Sequence, residues 1–83
     1  MKIHEQITEQ NWCRFSLSDK SGRLCLYGWI NRVYTVKEEC EYVKSRLRAY
    51  LGSLGHHFGI MMWNDSKATT FQDVKELCVE LDV

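Results

Sequence analysis

The 83-residue chain has no proline, no internal repeat, no low-complexity tract and no segment with the composition of a linker. Nothing in the sequence divides it, so we expect a single domain over residues 1–83. No apolar run approaches the roughly 18 residues that a membrane-spanning helix needs. The first residues also lead into no apolar stretch of the kind found in secretory signals. We therefore expect a soluble, cytoplasmic protein without a membrane partner.

The chain also lacks an excess of charge of either sign. Eleven basic residues balance eleven acidic ones, and the balance holds within each half of the sequence. One stretch with Lys44, Arg46 and Arg48 resembles a basic patch, but glutamates on the same predicted helix dilute it. Bulk electrostatics therefore give no reason to expect nucleic acid as a partner.

The four cysteines lack the spacing of a metal site. Cys13, Cys25, Cys40 and Cys78 are far apart and lie within apolar patterns, which is typical of buried free thiols. The even number of cysteines leaves a secreted, disulfide-bridged protein as an alternative. No Cys-x-x-Cys or His-x-x-x-His spacing is present, so we expect no metal and no cofactor.

Apolar periodicity predicts three helices. In residues 26–34 the apolar positions follow the helical template i, i+3, i+4, i+7, i+8. A second helix is predicted over residues 36–51, with Thr35 and Glu38 as its capping box. The third covers residues 70–81, where Thr70 and Asp73 form the capping pattern before a clear apolar face.

The remaining patterns predict extended structure. Residues 11–18 alternate between apolar and polar positions, and the turn-forming residues 19–22 follow, so a short hairpin returning at residues 23–24 is expected. Residues 60–63 form a short apolar run, interpreted as extended. The predicted fold class is α+β, with an N-terminal β-hairpin packed on three α-helices. The predicted core consists of Phe15, Leu17, Leu26, Ile30, Val33, Val43, Leu47, Leu51, Trp63, Phe71, Val74, Leu77 and Leu81.

Several short motifs occur in a fixed order along residues 11–81. They are Trp12-Cys13, an Asp-x-x-Gly-Arg turn at residues 19–23, Cys-Leu-x-Gly at residues 25–28, and Trp-Asn-Asp at residues 63–65 before the Thr-capped helix. In these motifs the chain resembles an uncharacterised family, a domain of unknown function found in bacteria and their phages. The resemblance implies a fold arrangement and a bacterial or phage setting, with a fuller N-terminal helix in other members. It implies no activity.

The Trp63-Asn64-Asp65 motif has two interpretations. It can form a recognition surface or a catalytic edge. The favoured interpretation is a core tryptophan followed by a turn in which the Asn64 and Asp65 side chains bond to the local backbone.

An enzymatic alternative is a cysteine hydrolase. Cys25 would begin a helix, where the dipole lowers the pKa of a thiol. His56 or His57 would act as its base, and Asp65 or Asn64 would orient that histidine. No glutamine precedes Cys25 to build an oxyanion hole, so a packed, inert thiol is the favoured interpretation and no catalytic residue is assigned.

An acidic stripe on the last predicted helix gives the preferred hypothesis. Asp73, Glu76 and Glu80 lie beside its apolar face, and Asp82 follows. Acid near a helix C-terminus opposes the helix dipole. A solubilising helix face is the simpler explanation. The hypothesis is a small non-enzymatic protein-binding module of phage or mobile-element type, acting in the host cytoplasm on a host protein with a basic surface, as an inhibitor of a bacterial defence system or a regulator. Its predicted partner-binding residues are Asp73, Glu76, Glu80, Asp82, Asn64 and Asp65.

Overall fold

A computed structural model describes all of residues 1–83 and contains five α-helices with no β-strand. The helices are α1 (Ile3–Gln6), α2 (Leu26–Val33), α3 (Lys37–Ser53), α4 (Ile60–Asp65) and α5 (Phe71–Leu81). None of them combines the length and the apolar character that crossing a membrane requires. The fold is all-α, so the predicted α+β class is wrong.

Two of the predicted helices are confirmed to within one residue. The Cys25 thiol caps α2 by accepting a hydrogen bond from the Gly28 backbone N–H at 3.4 Å. At the start of α5 the predicted capping box is present. The Thr70 hydroxyl accepts from the Asp73 N–H at 3.2 Å, and the Asp73 carboxylate accepts from the Thr70 N–H at 2.9 Å. Both starts satisfy backbone donors that the helix itself leaves free.

The third predicted helix, α3, begins later than its sequence signal suggests. Its N-cap is Val36, and no side chain caps it. Because the helix begins at Lys37, Glu38 is its second residue, whereas a capping box needs the acidic residue in third position. The predicted box of Thr35 and Glu38 therefore does not form, and α3 is held by its buried apolar face.

The predicted extended segment at residues 60–63 is also wrong, because these residues belong to α4. Gly59 precedes the helix with a φ of 93°, a left-handed conformation that glycine adopts without strain. Ile60 and Asn64 are four residues apart and both are buried, as expected for one helical face. A short apolar run has too few residues for periodicity to separate strand from helix.

The predicted N-terminal hairpin is replaced by an irregular loop. Its only strand-like pairings are isolated bridges of Trp12 and Ser18 with Leu24. Phe15 has a φ of 67°, which interrupts the extended backbone that a strand needs. The turn at residues 19–22 is present, since Gly22 has a φ of 80° and its N–H donates to the Asp19 carbonyl.

Gly28 is the point where this loop rests on α2. A Cβ at this position would lie 2.4 Å from the Leu17 carbonyl oxygen, closer than real Cβ atoms come. The absence of a side chain therefore allows the loop backbone to approach the helix.

The core differs from the prediction mainly in its N-terminal part. Phe15 and Leu17 are 74% and 48% exposed, so their assignment to the core is wrong. Trp12 is buried instead, and its indole N–H donates to the buried Asn64 side chain. Four predicted core residues are partly buried around the core: Val33, Trp63, Phe71 and Leu81. The buried cluster consists of Ile3, Ile7, Trp12, Leu26, Trp29, Ile30, Tyr34, Cys40, Val43, Leu47, Leu51, Ile60, Val74, Leu77, Cys78 and Val83.

Candidate protein-interaction groove

An open groove of about 960 Å³ lies on one side of the molecule. The C-terminal part of α3, the loop at residues 56–59, α4, the turn at residues 66–69 and α5 all contribute to its walls. Large apolar side chains remain exposed along the groove. Contiguous exposed apolar surface is typical of interaction sites. These exposed apolar residues are Phe15, Leu54, Phe58 and Met62.

The groove is acidic although the whole chain is neutral. Asp65, Asp73, Glu76 and Glu80 line it, and no lysine or arginine does. The ion pairs of the protein involve none of these four carboxylates. His56, beside Trp63 at 6.4 Å between ring centroids, is the only basic side chain in the wall. The groove therefore concentrates negative charge around apolar surface.

The four carboxylates differ in how far the fold already uses them. Asp73 belongs to the capping box of α5, so its carboxylate has a structural role. Glu76 accepts one hydrogen bond at 3.3 Å from the amide of Gln72, a residue of the same helix. Glu80 has no hydrogen-bond partner. Glu76 and Glu80 are thus the carboxylates that remain most available to a ligand.

Asn64 is fully buried and contributes no surface to the groove. Its side-chain oxygen accepts from the Trp12 indole N–H at 2.7 Å and from the Leu26 backbone N–H at 3.0 Å. Its side-chain nitrogen donates to the Cys13 carbonyl at 3.2 Å. These bonds reach distant segments, so the interpretation of a locally bonded turn is corrected. Asn64 instead joins α4 to the N-terminal loop and to α2.

Asp65 lies at the boundary between this junction and the groove. Its Oδ1 accepts from the Phe15 backbone N–H at 2.8 Å and from the Asn64 side-chain nitrogen at 3.0 Å. Its side chain also lines the groove. Asp65 therefore fixes the position of the Phe15 backbone while it adds charge to the wall.

Asp82 is separated from the other predicted site residues and is not part of the groove. It forms an ion pair with Lys2 and accepts from His4 Nε2 at 3.1 Å. Hydrogen bonds from Lys2 and His4 lower the pKa of the Asp82 carboxyl below its ordinary value. The acidic stripe predicted on the last helix is thus divided, and Asp82 ties the end of α5 to the N-terminal segment.

The residues of the hydrolase alternative are not assembled. Cys25 is 2% exposed, and its thiol is bonded to the Gly28 N–H rather than to a histidine. Among the other thiols, burial raises the pKa of Cys78 to about 12. No group of three or more His, Cys, Asp or Glu side chains is arranged to hold a metal ion.

The basic residues of α3 do not form a common surface. Lys44 is buried, with its amine 4.1 Å from the centre of the Tyr27 ring. Arg46 donates to the Leu81 carbonyl at 2.9 Å. Two of the three cations in the stretch are therefore used in packing the helix.

The apolar part of the groove was not found from the sequence. Its members come from separate segments, and nothing in their local patterns distinguishes them from core residues. The one sequence signal is that Phe58 and Met62 lie within or close to a polar, glycine-rich segment. Loops usually run over the protein surface, so large apolar residues within or next to a predicted loop are more often exposed.

These features define a small helical protein with an open groove that is both acidic and apolar. The chain belongs to a family of unknown function, DUF6197, whose family model matches residues 2–80. The match includes α1, which the motif resemblance over residues 11–81 left out. No curated protein and no solved structure matches the chain.

Proposed function

We propose that the protein is a small non-enzymatic binding module whose groove holds a basic, amphipathic helical segment of another protein. The observation that carries the proposal is the set of four carboxylates around exposed apolar side chains, with no lysine or arginine beside them. Apolar contact supplies the free energy of burial, and the carboxylates select a partner of opposite charge. Asp73, Glu76, Glu80 and Asp65 are the proposed acidic contacts.

The absence of strands favours a helical partner over an extended one. An extended peptide that binds by β-augmentation adds a strand to an exposed sheet edge, and this protein has no sheet. A helix needs only a groove for its apolar face, because its backbone hydrogen bonds are satisfied internally. A helix with apolar residues at i, i+3, i+4 and i+7 and basic residues at its flanks matches both features of the groove.

The surface is large enough for a specific complex. A standard interface covers about 800 Å² on each partner, and the protein has 5207 Å² of accessible surface. The groove and its exposed rim would then form the centre of the contact. Asn64 would contribute indirectly, by holding α4 in place, since its side chain is buried.

The proposed partner is a host protein with a basic surface in a bacterial or phage setting. Inhibition of a bacterial defence component or regulation of a host protein is the corresponding role, exerted in the host cytoplasm. Support for this setting comes from the motif resemblance, and support for a basic partner comes from the charge of the groove.

A synthetic helical peptide tests the groove without knowledge of the natural partner. The probe is an 18-residue, fluorescein-labelled peptide of leucine and lysine in helical spacing, followed by fluorescence anisotropy. We expect the wild-type protein to bind it, with affinity falling as salt is raised. The Glu76→Lys/Glu80→Lys variant should bind about tenfold or more weakly, because two attractive contacts become repulsive. Asp73 is left unchanged because it caps α5.

The matched control reverses two acidic residues outside the groove. Glu38→Lys/Glu39→Lys changes the net charge equally and should leave peptide binding within about threefold of wild type. A peptide with glutamate in place of lysine should not bind the wild-type protein. Equal binding by both charge variants, or no binding at low salt, would refute the proposed function.

A further inference from the structure

We infer that Phe15 is the aromatic anchor through which the groove recognises its partner. This inference rests on the proposed function and names a residue that determines specificity within it. Phe15 is 74% exposed although it is a large apolar side chain, and it lines the groove. Its backbone has a φ of 67°. Exposure and an unfavourable backbone conformation at one aromatic residue are the two observations that need an explanation.

Neither observation is explained by the stability of the fold. A left-handed conformation is uncommon for bulky residues and costs free energy that glycine would not incur. An exposed phenylalanine buries little apolar surface, so hydrophobic burial does not offset the free-energy cost of this backbone conformation. Strained residues of this kind persist only where the surroundings hold them, and they cluster at ligand-binding sites.

The surroundings of Phe15 do hold its backbone firmly. Its N–H donates to Asp65 Oδ1 at 2.8 Å, and Asp65 is held in turn by the Asn64 side chain at 3.0 Å. On the preceding residue, the Arg14 guanidinium donates to the Thr69 carbonyl. The Phe15 ring is therefore presented on a backbone that is fixed before any partner arrives, which lowers the entropy lost on binding.

The chemistry of the ring fits the proposed occupant. An aromatic side chain gives a large contact area for an apolar helix face, and aromatic residues are common among the residues that dominate binding energy. The face of the ring also attracts lysine and arginine side chains. A basic amphipathic helix offers both groups, so Phe15 can contact either its apolar face or a cation at its edge.

Two substitutions separate the role of the side chain from that of the backbone. Phe15→Ala and Phe15→Gly both remove the ring, and both should weaken binding of the leucine–lysine peptide about 30-fold. Only glycine accepts the left-handed backbone without strain, so Phe15→Gly should melt roughly 4–8 °C above Phe15→Ala. Circular dichroism melting and fluorescence anisotropy give the two readouts on the same samples.

Leu17→Ala is the control, because Leu17 is an exposed residue of the same loop that does not line the groove. It should keep peptide binding within about twofold of wild type. The pair Asp65→Asn and Asp65→Ala tests how Phe15 is held. Both lose the charge, but asparagine retains an oxygen that can accept from the Phe15 N–H, so Asp65→Asn should bind the peptide more tightly than Asp65→Ala.

The outcomes distinguish this inference from the proposed function. Wild-type binding by Phe15→Ala, together with weakened binding by Glu76→Lys/Glu80→Lys, would overturn the role of Phe15 and leave the groove as the site. No peptide binding by wild-type protein would refute the proposed function and the inference with it. Melting of Phe15→Gly at or below the temperature of Phe15→Ala would contradict the claim that the backbone is strained.

Discussion

The two sides of α4 differ in how far the fold uses their polar and apolar groups. On its inner side the Asn64 amide is fully buried, and both its oxygen and its nitrogen have hydrogen-bond partners on other segments. On its outer side Met62 is exposed, and Glu76 and Glu80, which line the same groove, form no ion pair. A buried polar group with all its partners stabilises one arrangement of the chain. Carboxylates without an ion pair beside exposed apolar surface do not stabilise the fold in this way. This difference is the basis for proposing the outer side as the binding surface.

The largest expected effect on stability comes from removing the buried Asn64 amide on the inner side of α4. Asn64→Ala leaves the Trp12 indole N–H and the Leu26 backbone N–H without an acceptor in the core. Each unsatisfied buried donor costs about 1–3 kcal/mol, so the free energy of unfolding should fall by about 2–6 kcal/mol. Urea unfolding followed by circular dichroism measures this loss.

Met61→Ala is the matched control for that change. Met61 lies on the same short helix but is exposed, and its truncation should cost under about 1 kcal/mol. If Asn64→Ala were as stable as Met61→Ala, the inner side of α4 would not be the stabilising junction described here.

Two glycine substitutions should give effects of intermediate size. Gly28 lies where the N-terminal loop packs on α2, and Gly52 lies in the part of α3 that is close to the groove. Gly28→Ala places a Cβ against the Leu17 carbonyl at 2.4 Å, so the loop must shift, at a cost of about 1–3 kcal/mol. Gly52→Ala, near the groove end of α3, meets nothing closer than 3.8 Å and should gain up to about 1 kcal/mol from helix propensity. Thermal melting of both variants checks the opposite signs. Equal stability of the two would show that the loop does not rest on Gly28 as the structure indicates.

The smallest effect concerns Asp82, the one predicted site residue that is paired with cations. Its folded-state pKa is lowered by Lys2 and His4. Its contribution to stability is therefore present above its ordinary value of 3.8 and is lost as the pH falls through the lower folded-state pKa. Asp82→Asn should melt below wild type at neutral pH, and the two should converge at about pH 3 or lower. A difference in melting temperature that does not change with pH would contradict this account.

Local sequence signals were sufficient to predict a helix where its capping residues and its apolar face lie within one short segment. The caps and apolar faces of α2 and α5 are encoded within a few residues, so both helices could be predicted. The position of Glu76 and Glu80 on one exposed face followed from the same periodicity. Asp82 also follows that face in sequence, but its pairing with Lys2 joins the two ends of the chain, and no local pattern contains that contact.

The errors in the N-terminal loop and at Asn64 occurred where distant residues determine the conformation. The alternating pattern of residues 11–18 predicts a strand, but Phe15 has a φ of 67° and its N–H donates to the distant Asp65 carboxylate, so the backbone is not extended there. Asn64 gave the signal of a turn residue, and only its partners at Trp12 and Leu26 explain why it is buried. The groove shares this property, since its apolar side chains come from several segments that are separate in the sequence.

The most direct test of the central claim is to map the bound peptide by nuclear magnetic resonance. Backbone amide signals of the ¹⁵N-labelled protein would be followed during titration with the leucine–lysine peptide. The proposed function predicts that the largest shift changes fall at the groove, including Leu54, Met62, Glu76 and Glu80, while signals of α1 and the inner face of α2 change little. Largest changes at α1 and α2, or small changes spread evenly over the protein, would contradict the assignment of this groove as the binding site.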